Sequence, residues 1–489
     1  MRQGSLPFFF IIIDYYDIII FKGVSDMKKI KLAYIGGGSK EWAHVFMNDL
    51  ALTEGINGEI ALYDIDLEAA KLNQKIGNLI NNHPSTLTKW DYQVYDKLDD
   101  ALQGADFVAI SILPATFEEM RSDVHAPEEY GIFQTVGDTT GPGGILRAMR
   151  TVPIYEEFAR KIKEICPEAW VLNFTNPMNL CVKTLYDVFP EIKAFGCCHE
   201  VFNTQHFLCK VLEEEKGIKA DRREIFTDVS GINHFTWISK ARYENDDLLK
   251  LLDSFILKYG ETGYNERGPV DEFKISPFRY ANLVKMDLYR RYGVLGAAGD
   301  RHLVEFMNPN WYLKDSETIQ KFKFALTTVD NRIEKRAKRL LTLNAISEGR
   351  EKLEVKGSKE EAVVMMKALL GFGTIVSNVN LPNVGQIPDF PLGAIVETNA
   401  VFSNDCVSPI VAKELPDQVK NLILPHVYNL ETVYEGIKNR DLHLIFTAFL
   451  NDSLCVKLSF EDAETLFKKM LRNTREYLDP YFDLEDYLD

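Results

Sequence analysis

A thiol, an imidazole and a carboxylate stand next to one another at Cys198, His199 and Glu200, directly after a short apolar run. A second imidazole, His234, follows within the segment Gly231–Phe235, GINHF. Cysteine together with histidine is a borderline-soft ligand pair that suits Mn, Fe, Co or Zn. Two protein ligands cannot close a tetrahedral structural zinc site, so positions would stay open for substrate oxygens. We predict that Cys198 and His234 bind a divalent metal. The alternative is a core cysteine pair and a buried histidine.

The segment Gly299–Glu305, GDRHLVE, brings four ionisable side chains into seven residues. A solvated turn could have a similar composition. The small residues directly before this segment favour a site over such a turn.

Two further segments combine polar side chains with a turn. Gly137–Arg150, GDTTGPGGILRAMR, is a glycine-rich loop that leads into a helix with Arg147 and Arg150 on one face. The loop could bind an anion or cover a cofactor, or it could be an ordinary loop before a solvated helix. Asn176 follows a buried strand and precedes a proline, which is typical of a turn former and also of a ligand at a sheet edge.

The segment Lys31–Lys40, KLAYIGGGSK, predicts a buried strand, a tight glycine turn and the start of a helix. Such a turn lets the backbone approach a pyrophosphate at the helix N-terminus, although it also occurs in α/β proteins that bind no dinucleotide. An acid at the end of the next apolar run suits the ribose hydroxyls of NAD better than the 2′-phosphate of NADP. The predicted NAD ligands are Gly36, Gly37, Gly38, Ser39 and Asp64.

Strands and helices alternate from residue 30 to residue 112, which predicts an α/β fold with a doubly wound parallel sheet. Asp106–Ile112, Trp170–Phe174 and Lys193–Cys197 are typical of buried parallel strands, and each ends in polar or small residues at the edge where ligands bind. Helical stretches dominate after about residue 203, with strand-like pieces at Asp228–Ser239 and Gly393–Phe402. We predict a cofactor-binding domain over 27–202 and a second, mixed α/β domain over 203–489, packed closely against it.

Helical periodicity marks six segments of the second domain. In one of them, Ser276 and Pro277 form a favourable cap and first-turn pair. The six predicted helices are Thr204–Lys216, Ser276–Tyr292, Ser316–Ser347, Lys359–Leu370, Val419–Lys438 and Ser459–Tyr477.

Composition narrows the class of protein. The chain has 489 residues, of which 46% are hydrophobic and 26% charged, as in an ordinary globular protein of two or three domains. A net charge of −16 argues against a nucleic-acid partner, because no basic stripe is available to neutralise phosphates. The seven cysteines show no framework spacing, which indicates a reducing, cytoplasmic compartment.

The N-terminus differs from the rest of the chain. Pro7–Lys22 is strongly apolar, but it is too short to span a bilayer and is interrupted by Asp14 and Asp17. It also lacks the small-residue cleavage site of a signal peptide, and Met27 opens a plausible start. We predict that residues 1–26 are a spurious or disordered extension and that the protein has no membrane partner. A membrane-surface or extra-strand element is the alternative, and full activity after deletion of 1–26 would exclude it.

The motifs as a set resemble glycoside hydrolase family four, the NAD- and metal-dependent glycosidases. They occur in that family's order over nearly the whole chain from Met27 to about Leu478. The segments VGDTTGPGGILRAMRT and GAAGDRHLVEF look most like the alpha-galacturonidase branch, with the alpha-glucuronidases as neighbours. The motifs are IGGGS, GDTTGPGGILRAMRTVP, NFTNP, CCHE, GINHF and NLPNVGQI.

The resemblance implies a Rossmann-like domain joined to a lactate-dehydrogenase-type second domain. It also implies bound NAD, a divalent metal that is usually manganese, and a homodimer or homotetramer acting on a small uronide. Its reaction is an exception to the two-carboxylate scheme of most glycosidases. The sugar is oxidised at C3, loses its C2 proton, releases the aglycone from C1, and is then hydrated and reduced again, so that NAD is not consumed.

The resemblance also implies roles for single residues. Asn176 would bind substrate hydroxyls, and Cys198 and His234 would hold the metal. His199 stands where some members have an aspartate proposed as the acid. The tyrosine that serves as base in phosphoglycosidase members has no clear counterpart in the sequence. The predicted catalytic residues are His199, Asp300, Tyr292 and His302. The predicted substrate ligands are Asn176, Arg301, Arg147 and Asp138, with Arg150 as a further choice for the uronate carboxylate.

Two other functions remain open from the sequence. An NAD-dependent sugar or hydroxyacid dehydrogenase would share the glycine turn but would need no Cys–His metal pair. An NAD-binding module without activity could sense redox state or act as a scaffold, although the metal pair and the GDRH segment weigh against it. Net formation of NADH would mark the dehydrogenase.

Overall fold

The computed structural model describes residues 27–272 and 274–488, so the predicted extension over 1–26 lies outside the described residues. The strands are β1 (Lys28–Ile35), β2 (Ile56–Tyr63), β3 (Trp90–Tyr95), β4 (Phe107–Ile110), β5 (Trp170–Asn173), β6 (Lys193–Gly196), β7 (Phe226–Ile232), β8 (Phe235–Tyr243), β9 (Asp246–Asp247), β10 (Tyr264–Asn265), β11 (Gly268–Pro269), β12 (Leu295–Gly296), β13 (Ile375–Pro382), β14 (Ile395–Ser403) and β15 (Cys406–Pro409).

The helices alternate with these strands in the first part of the chain and dominate its last part. They are α1 (Trp42–Ala51), α2 (Leu67–Asn81), α3 (Leu98–Leu102), α4 (Phe117–His125), α5 (Gly141–Ile165), α6 (Met178–Val188), α7 (Glu200–Lys216), α8 (Leu248–Tyr259), α9 (Leu283–Tyr292), α10 (Asp300–Leu303), α11 (Pro309–Tyr312), α12 (Ser316–Lys321), α13 (Val329–Ser347), α14 (Ala362–Leu369), α15 (Asp417–Asn439), α16 (Leu442–Asn451), α17 (Phe460–Asn473) and α18 (Glu485–Leu488).

Parallel strands in the order β3-β2-β1-β4-β5-β6 carry the predicted cofactor turn. Leu32 of β1 packs into a core on one face of the sheet and Ala33 into a core on the other, as expected when helices cover both faces. The doubly wound parallel sheet predicted from the sequence is confirmed. Because four of the strands end side by side, the segments that follow them meet at one edge. The facing end residues are Ile35, Ile110, Asn173 and Gly196.

The sheet continues beyond residue 203. β13 joins β6 in antiparallel pairing at Asn380 and Gly196, and β14, β7, β8 and β12 follow in antiparallel order. This second part is mixed α/β, as predicted. Since one sheet runs through both parts, the division into 27–202 and 203–489 stays a prediction.

The helix predicted from Ser276 begins later, at Leu283 of α9. Ser276 and Arg279 instead close a tight turn through two backbone hydrogen bonds of 2.9 and 3.0 Å. Asn282 then adopts a left-handed conformation, with φ of +55°, immediately before α9. The Ser-Pro pair is therefore part of a turn and not a helix cap, which leaves Tyr280 in a loop.

Two other predicted elements are divided in the structure. The helix predicted over Ser316–Ser347 is two helices, α12 and α13, because the chain turns between them and Lys323 has a positive φ of +50°. The strand-like piece Asp228–Ser239 is the β7–β8 hairpin, whose turn carries His234. The hairpin matters for function because it presents this histidine at the strand ends.

Helix α5 begins inside the glycine-rich segment and not after it. The amide of Gly141 donates to Asp452 Oδ2 at 2.9 Å, and the amide of Gly143 donates to Gln134 Oε1 at 2.9 Å. These backbone groups are thus already capped by side chains from elsewhere in the chain. The loop consequently does not offer them to an anion, which corrects one of the two roles expected for it.

Buried apolar side chains from the helices of the second part form a core between α5, α15, α16 and α17. Residues of α5 from Ile145 to Val152 belong to this core, so the core holds the helix that follows the glycine-rich segment. Within the described residues, no helix has the length and apolar character needed to cross a membrane.

Candidate active site

The turn after β1 packs closely against neighbouring backbone. Gly36 has a φ of +92°, and a Cβ there would lie 2.0 Å from the carbonyl oxygen of Ser111. A Cβ at Gly37 would lie 2.9 Å from the Cα of Leu62. Only glycine fits these two positions without a shift of the backbone. The turn fits a dinucleotide, because it carries no side chains that would keep a pyrophosphate at a distance.

Asp64 lies against this turn at the end of β2. One of its oxygens accepts a hydrogen bond from the amide of Gly38 at 2.8 Å. Asn73 of α2 donates to the carbonyl oxygens of Gly37 at 2.7 Å and Ser39 at 2.8 Å, and so holds the turn in place. Asn73 was not predicted from the sequence. The available signal was a polar residue on the buried face of α2.

The two predicted metal ligands come from different parts of the sheet. Cys198 follows β6, His234 lies in the β7–β8 turn, and both are buried. Burial and the nearby carboxylate of Glu397 raise the pKa of the Cys198 thiol well above its usual value. Among the described residues, no group of three or more His, Cys, Asp or Glu side chains is arranged to hold a metal. The donor set therefore fits an open two-residue site better than a closed structural one.

Glu200 connects the Cys198 segment with the GDRH segment. One of its oxygens accepts from the amide of Gly299 at 2.7 Å, and the other lies 3.7 Å from His302 Nε2. Burial would raise the pKa of Glu200, but His302 and His199 hold it well below its usual value. Burial lowers the pKa of His302, and its ring stacks on that of His234 with the ring centres 4.2 Å apart. The two segments thus share one charged, buried cluster.

Asp138 and Asn176 face each other at the same sheet edge. Asn176 Nδ2 donates to Asp138 Oδ2 at 3.1 Å, and Arg147 Nε donates to the Asn176 carbonyl oxygen at 2.9 Å. Burial would raise the pKa of Asp138, but His234 and Arg147 hold it well below its usual value. Asn176 Oδ1 is buried without a partner among the described atoms. A sugar hydroxyl could satisfy this oxygen.

Arg301 and Arg150 have different surroundings. Arg301 Nη1 donates to Thr327 Oγ1 at 3.2 Å, and its guanidinium group lies 4.7 Å from the centre of the Phe278 ring. Arg150 is buried in a two-point ion pair with Asp123. The charge of Arg150 is therefore compensated inside the fold. The structure does not support Arg150 as a substrate ligand.

Two of the predicted catalytic residues belong to the scaffold. Both oxygens of Asp300 accept from backbone amides at the start of α9, those of Val284 at 3.2 Å and Lys285 at 3.0 Å, and burial raises the pKa of Asp300 to about 6. Tyr292 packs edge-on against Trp237, with ring centres 6.0 Å apart. The structure gives Asp300 a capping role and Tyr292 a packing role.

A different tyrosine, Tyr280, reaches the cluster. A Cβ at Gly299 would lie 2.4 Å from the Tyr280 hydroxyl oxygen, so the phenol occupies the space that this glycine leaves free. Burial and the carboxylate of Glu200 raise the pKa of Tyr280, and Arg301 opposes the rise. The sequence analysis missed this residue because it assigned Tyr280 to a helix interior. Gly299, the glycine that opens the GDRH segment, was the available signal, because its missing side chain leaves room for a side chain from another segment.

Arg332 and Glu305 also border Asp138. Glu305 belongs to the predicted Gly299–Glu305 segment but was given no role of its own, and Arg332 was not predicted. Glu305 Oε1 accepts from the amides of Val136 at 2.8 Å and Gly137 at 3.0 Å, and burial raises its pKa to about 7. Arg332 Nη2 donates to the Val136 carbonyl oxygen at 3.3 Å. Arg332 could not be singled out from the sequence because α13 is rich in Lys and Arg throughout.

His199 lies between the cofactor turn and the metal pair. Its ring is 5.6 Å from that of Trp42, the first residue of α1 directly after the glycine turn. Its two nitrogens are each 3.6 Å from a carboxylate oxygen, one of Glu200 and one of Glu360. A half-exposed imidazole at this junction can exchange protons with a bound substrate.

A turn that fits a dinucleotide, an open Cys–His pair and a polar sheet edge thus occur in one molecule. This combination is expected of the NAD- and metal-dependent glycosidases that the motifs resemble. The chain belongs to family 4 of the glycosyl hydrolases. The family model matches residues 31–214 and the model of the family's C-terminal domain matches residues 229–455. The predicted family is confirmed, and the protein is an enzyme of the glycosidase class.

Within this family, the chain is similar over most of its length to several alpha-galacturonidases and solved structures. The chain is 53% identical over 449 residues to an alpha-galacturonidase from Thermoanaerobacter italicus, covering 92% of this chain and 97% of that protein. It is 48% identical to an alpha-galacturonidase from Bacillus subtilis, covering 92% and 98%. The crystal structure of lplD from Bacillus subtilis has a TM-score of 0.86 at 46% identity, over 91% of this chain and 100% of that one. A 6-phospho-alpha-glucosidase from gut microorganisms, solved with NAD and Mn²⁺, shares the fold with a TM-score of 0.77 at 18% identity, over 93% and 100%.

Proposed function

We propose that this protein hydrolyses alpha-linked galacturonides in a reaction that depends on NAD and a divalent metal. The observation that carries the proposal is the near-complete coverage of alpha-galacturonidases at 47 to 53% identity. The two arginines beside Asp138, Arg147 and Arg332, support it, because a uronide brings a carboxylate that guanidinium groups bind well.

The described residues fit both cofactors. The glycine turn and Asp64 would hold NAD, and Cys198 and His234 would hold the metal. When bound, the dinucleotide supplies a hydride acceptor and the metal supplies a Lewis acid. The unpartnered Asn176 Oδ1 would bind a sugar hydroxyl, and Asp138 would accept from another. These contacts would orient the sugar ring at the sheet edge.

Proton transfer requires one group that takes the C2 proton and another that protonates the leaving oxygen at C1. We assign the first role to Tyr280, because its hydroxyl lies beside Gly299 and the Glu200–His302 cluster. Burial and Glu200 raise the pKa of this phenol, so it would act as a base only with a bound metal cation, whose charge, like that of Arg301, favours the phenolate. His199 remains our choice for the acid, since it lies between the cofactor turn and the metal pair. Ionised Glu200 and the stacked ring of His302 would position these groups.

A substrate panel tests the proposal. The purified chain is assayed with 4-nitrophenyl alpha-galacturonide, alpha-glucuronide and alpha-galactoside in the presence of NAD, manganese and a reductant. We expect the galacturonide to be cleaved fastest and activity to disappear on chelation or when NAD is left out. Faster cleavage of the glucuronide or galactoside would contradict the proposed specificity.

The same reaction distinguishes a sugar or hydroxyacid dehydrogenase. A glycosidase of the proposed kind returns the hydride to the sugar, so nitrophenol should be released without a matching rise in NADH. Stoichiometric NADH without nitrophenol would support the dehydrogenase.

We further propose a cytoplasmic homodimer or homotetramer. All seven cysteines are free, as expected in a reducing compartment. Light scattering coupled to size-exclusion chromatography would measure the assembly, and a monomeric mass at micromolar concentration would contradict it.

A further inference from the structure

We infer that Arg332 binds the carboxylate of the uronide and thereby selects acidic over neutral sugars. The inference rests on the proposed function and adds a residue outside the motifs. Arg332 lies in the first turn of α13. That turn is fixed by the Thr328 hydroxyl, which accepts from the amide of Asn331 at 3.2 Å, and by His125 Nε2, which accepts from the amide of Val329 at 3.1 Å.

The hydrogen bonds of Arg332 leave part of its guanidinium group free. Nη2 donates to the Val136 carbonyl oxygen at 3.3 Å, whereas Nε is buried and has no partner among the described atoms. A buried charged donor without an acceptor is costly, so a ligand that accepts from it would bind favourably. The planar fork of arginine offers a carboxylate two parallel hydrogen bonds.

The charges around Arg332 also favour an anion. Three guanidinium groups lie near the two ionised carboxylates of the cluster. Those of Arg147 and Arg332 help to lower the pKa of Asp138, and that of Arg301 helps to lower the pKa of Glu200. Burial and the two neighbouring arginines lower the pKa of Arg332 to about 10, which still leaves it charged at neutral pH. A uronate would bring a negative charge to these guanidinium groups, whereas a neutral sugar would not.

The other arginines are less suited to this role. Arg147 Nε already donates to the Asn176 carbonyl oxygen, and Arg150 is paired with Asp123. Arg301 donates to Thr327 and contacts the Phe278 ring, so it could only support a carboxylate held by Arg332.

The test compares Arg332→Gln, Arg332→Lys and the wild type on 4-nitrophenyl alpha-galacturonide and on its neutral methyl ester. Lys338→Gln is the matched control, because it removes the same charge from an exposed position of the same helix. We expect Arg332→Gln to lower kcat/KM for the galacturonide roughly 100-fold, with less than about threefold change for the ester. For the galacturonide, kcat/KM of Arg332→Lys should lie between those of Arg332→Gln and the wild type, since lysine keeps the positive charge but cannot form two parallel hydrogen bonds. The control should match the wild type on both substrates.

Binding of free galacturonate to the NAD- and manganese-loaded enzyme, measured by calorimetry, gives a second readout. Arg332→Gln should weaken it roughly 100-fold while NAD affinity stays unchanged. Unchanged galacturonate affinity, or an equal loss for acid and ester, would overturn the inference even if the wild type is a good galacturonidase. A wild type that cleaves no galacturonide would instead contradict the proposed function.

Discussion

The cofactor turn and the substrate cluster lie at the same edge of one sheet, but they are built differently. The turn is local: Gly36 to Asp64 spans one helix, α1, and one strand, β2, and Asn73 follows on the next helix. The cluster is assembled from the segment before α5, the segments after β5 and β6, the β7–β8 turn, the GDRH segment and the first turn of α13.

This difference determines what each region depends on. The turn is defined by backbone shape, since its glycines admit no Cβ without a shift of neighbouring atoms. The cluster is defined by charge, since Asp138 and Glu200 are kept ionised by side chains from distant segments. A change in the cluster should therefore abolish chemistry while NAD still binds, whereas a change in the turn should lower NAD affinity by a graded amount.

The largest effect is expected for the metal pair. Cys198→Ser and His234→Ala should each lower turnover by more than about 10,000-fold, because the Lewis acid would be lost while the fold is kept. Cys197→Ser, next to the ligand in sequence, is the control and should keep both activity and bound Mn²⁺. Electron paramagnetic resonance measures the bound metal, and activity that survives full chelation would contradict the assignment.

Tyr280→Phe should reduce kcat roughly 1,000-fold, as expected for loss of a base in proton abstraction. Tyr292→Phe should stay within about twofold, because that ring packs on Trp237 and not against the cluster. Steady-state kinetics on the galacturonide distinguishes the two variants. Equal losses, or a larger loss for Tyr292→Phe, would restore the sequence-based choice of base.

Glu305 should give the cluster a pH-dependent stability. Because burial raises its pKa to about 7, the folded protein retains this proton where the unfolded chain has lost it. The free energy of unfolding should therefore fall as pH rises from about 4.5 to about 7. Measured against Glu305→Gln, which cannot titrate, the fall should be at most about 3 kcal/mol. Urea unfolding of both proteins across this range measures the difference. A constant difference would show that Glu305 titrates normally.

The smallest effect is expected in the turn. Gly37→Ala should weaken NAD binding about tenfold, since its Cβ must displace backbone near Leu62. Gly357→Ala is the control, because the nearest atom to its Cβ would be Leu52 Cδ1 at 3.8 Å. Calorimetric titration with NAD measures both variants. If Gly37→Ala were inactive even at saturating NAD, the prediction that this substitution weakens only NAD binding would be contradicted.

The same contrast explains what the sequence could predict. The strands that end at Ile35, Ile110, Asn173 and Gly196 were predictable because apolar runs and glycine punctuation are local signals. Tyr280 was not predictable, because Ser276 and Pro277 are typical of a helix start and tertiary contacts place them in a turn instead.

Arg332 lacked a signal for a different reason. Its role depends on where α13 begins relative to Asp138, far away in sequence, and its helix carries many similar side chains. Asp300 shows the converse case, because an acidic residue in a charged motif turned out to cap α9. The motifs identified the cluster, but only the packing of distant segments shows which of its residues can take part in the reaction and which ones hold the fold.

The most direct test of the redox route is the fate of the C2 hydrogen. The enzyme, loaded with NAD and manganese, hydrolyses 4-nitrophenyl alpha-galacturonide in deuterated water, and the galacturonate formed is examined by nuclear magnetic resonance. Our account predicts deuterium at C2, because the C2–H bond breaks during elimination and is remade with solvent hydrogen. Direct displacement never breaks that bond. A product without C2 deuterium, together with no primary isotope effect on a C2-deuterated substrate under conditions where proton abstraction limits the rate, would contradict it.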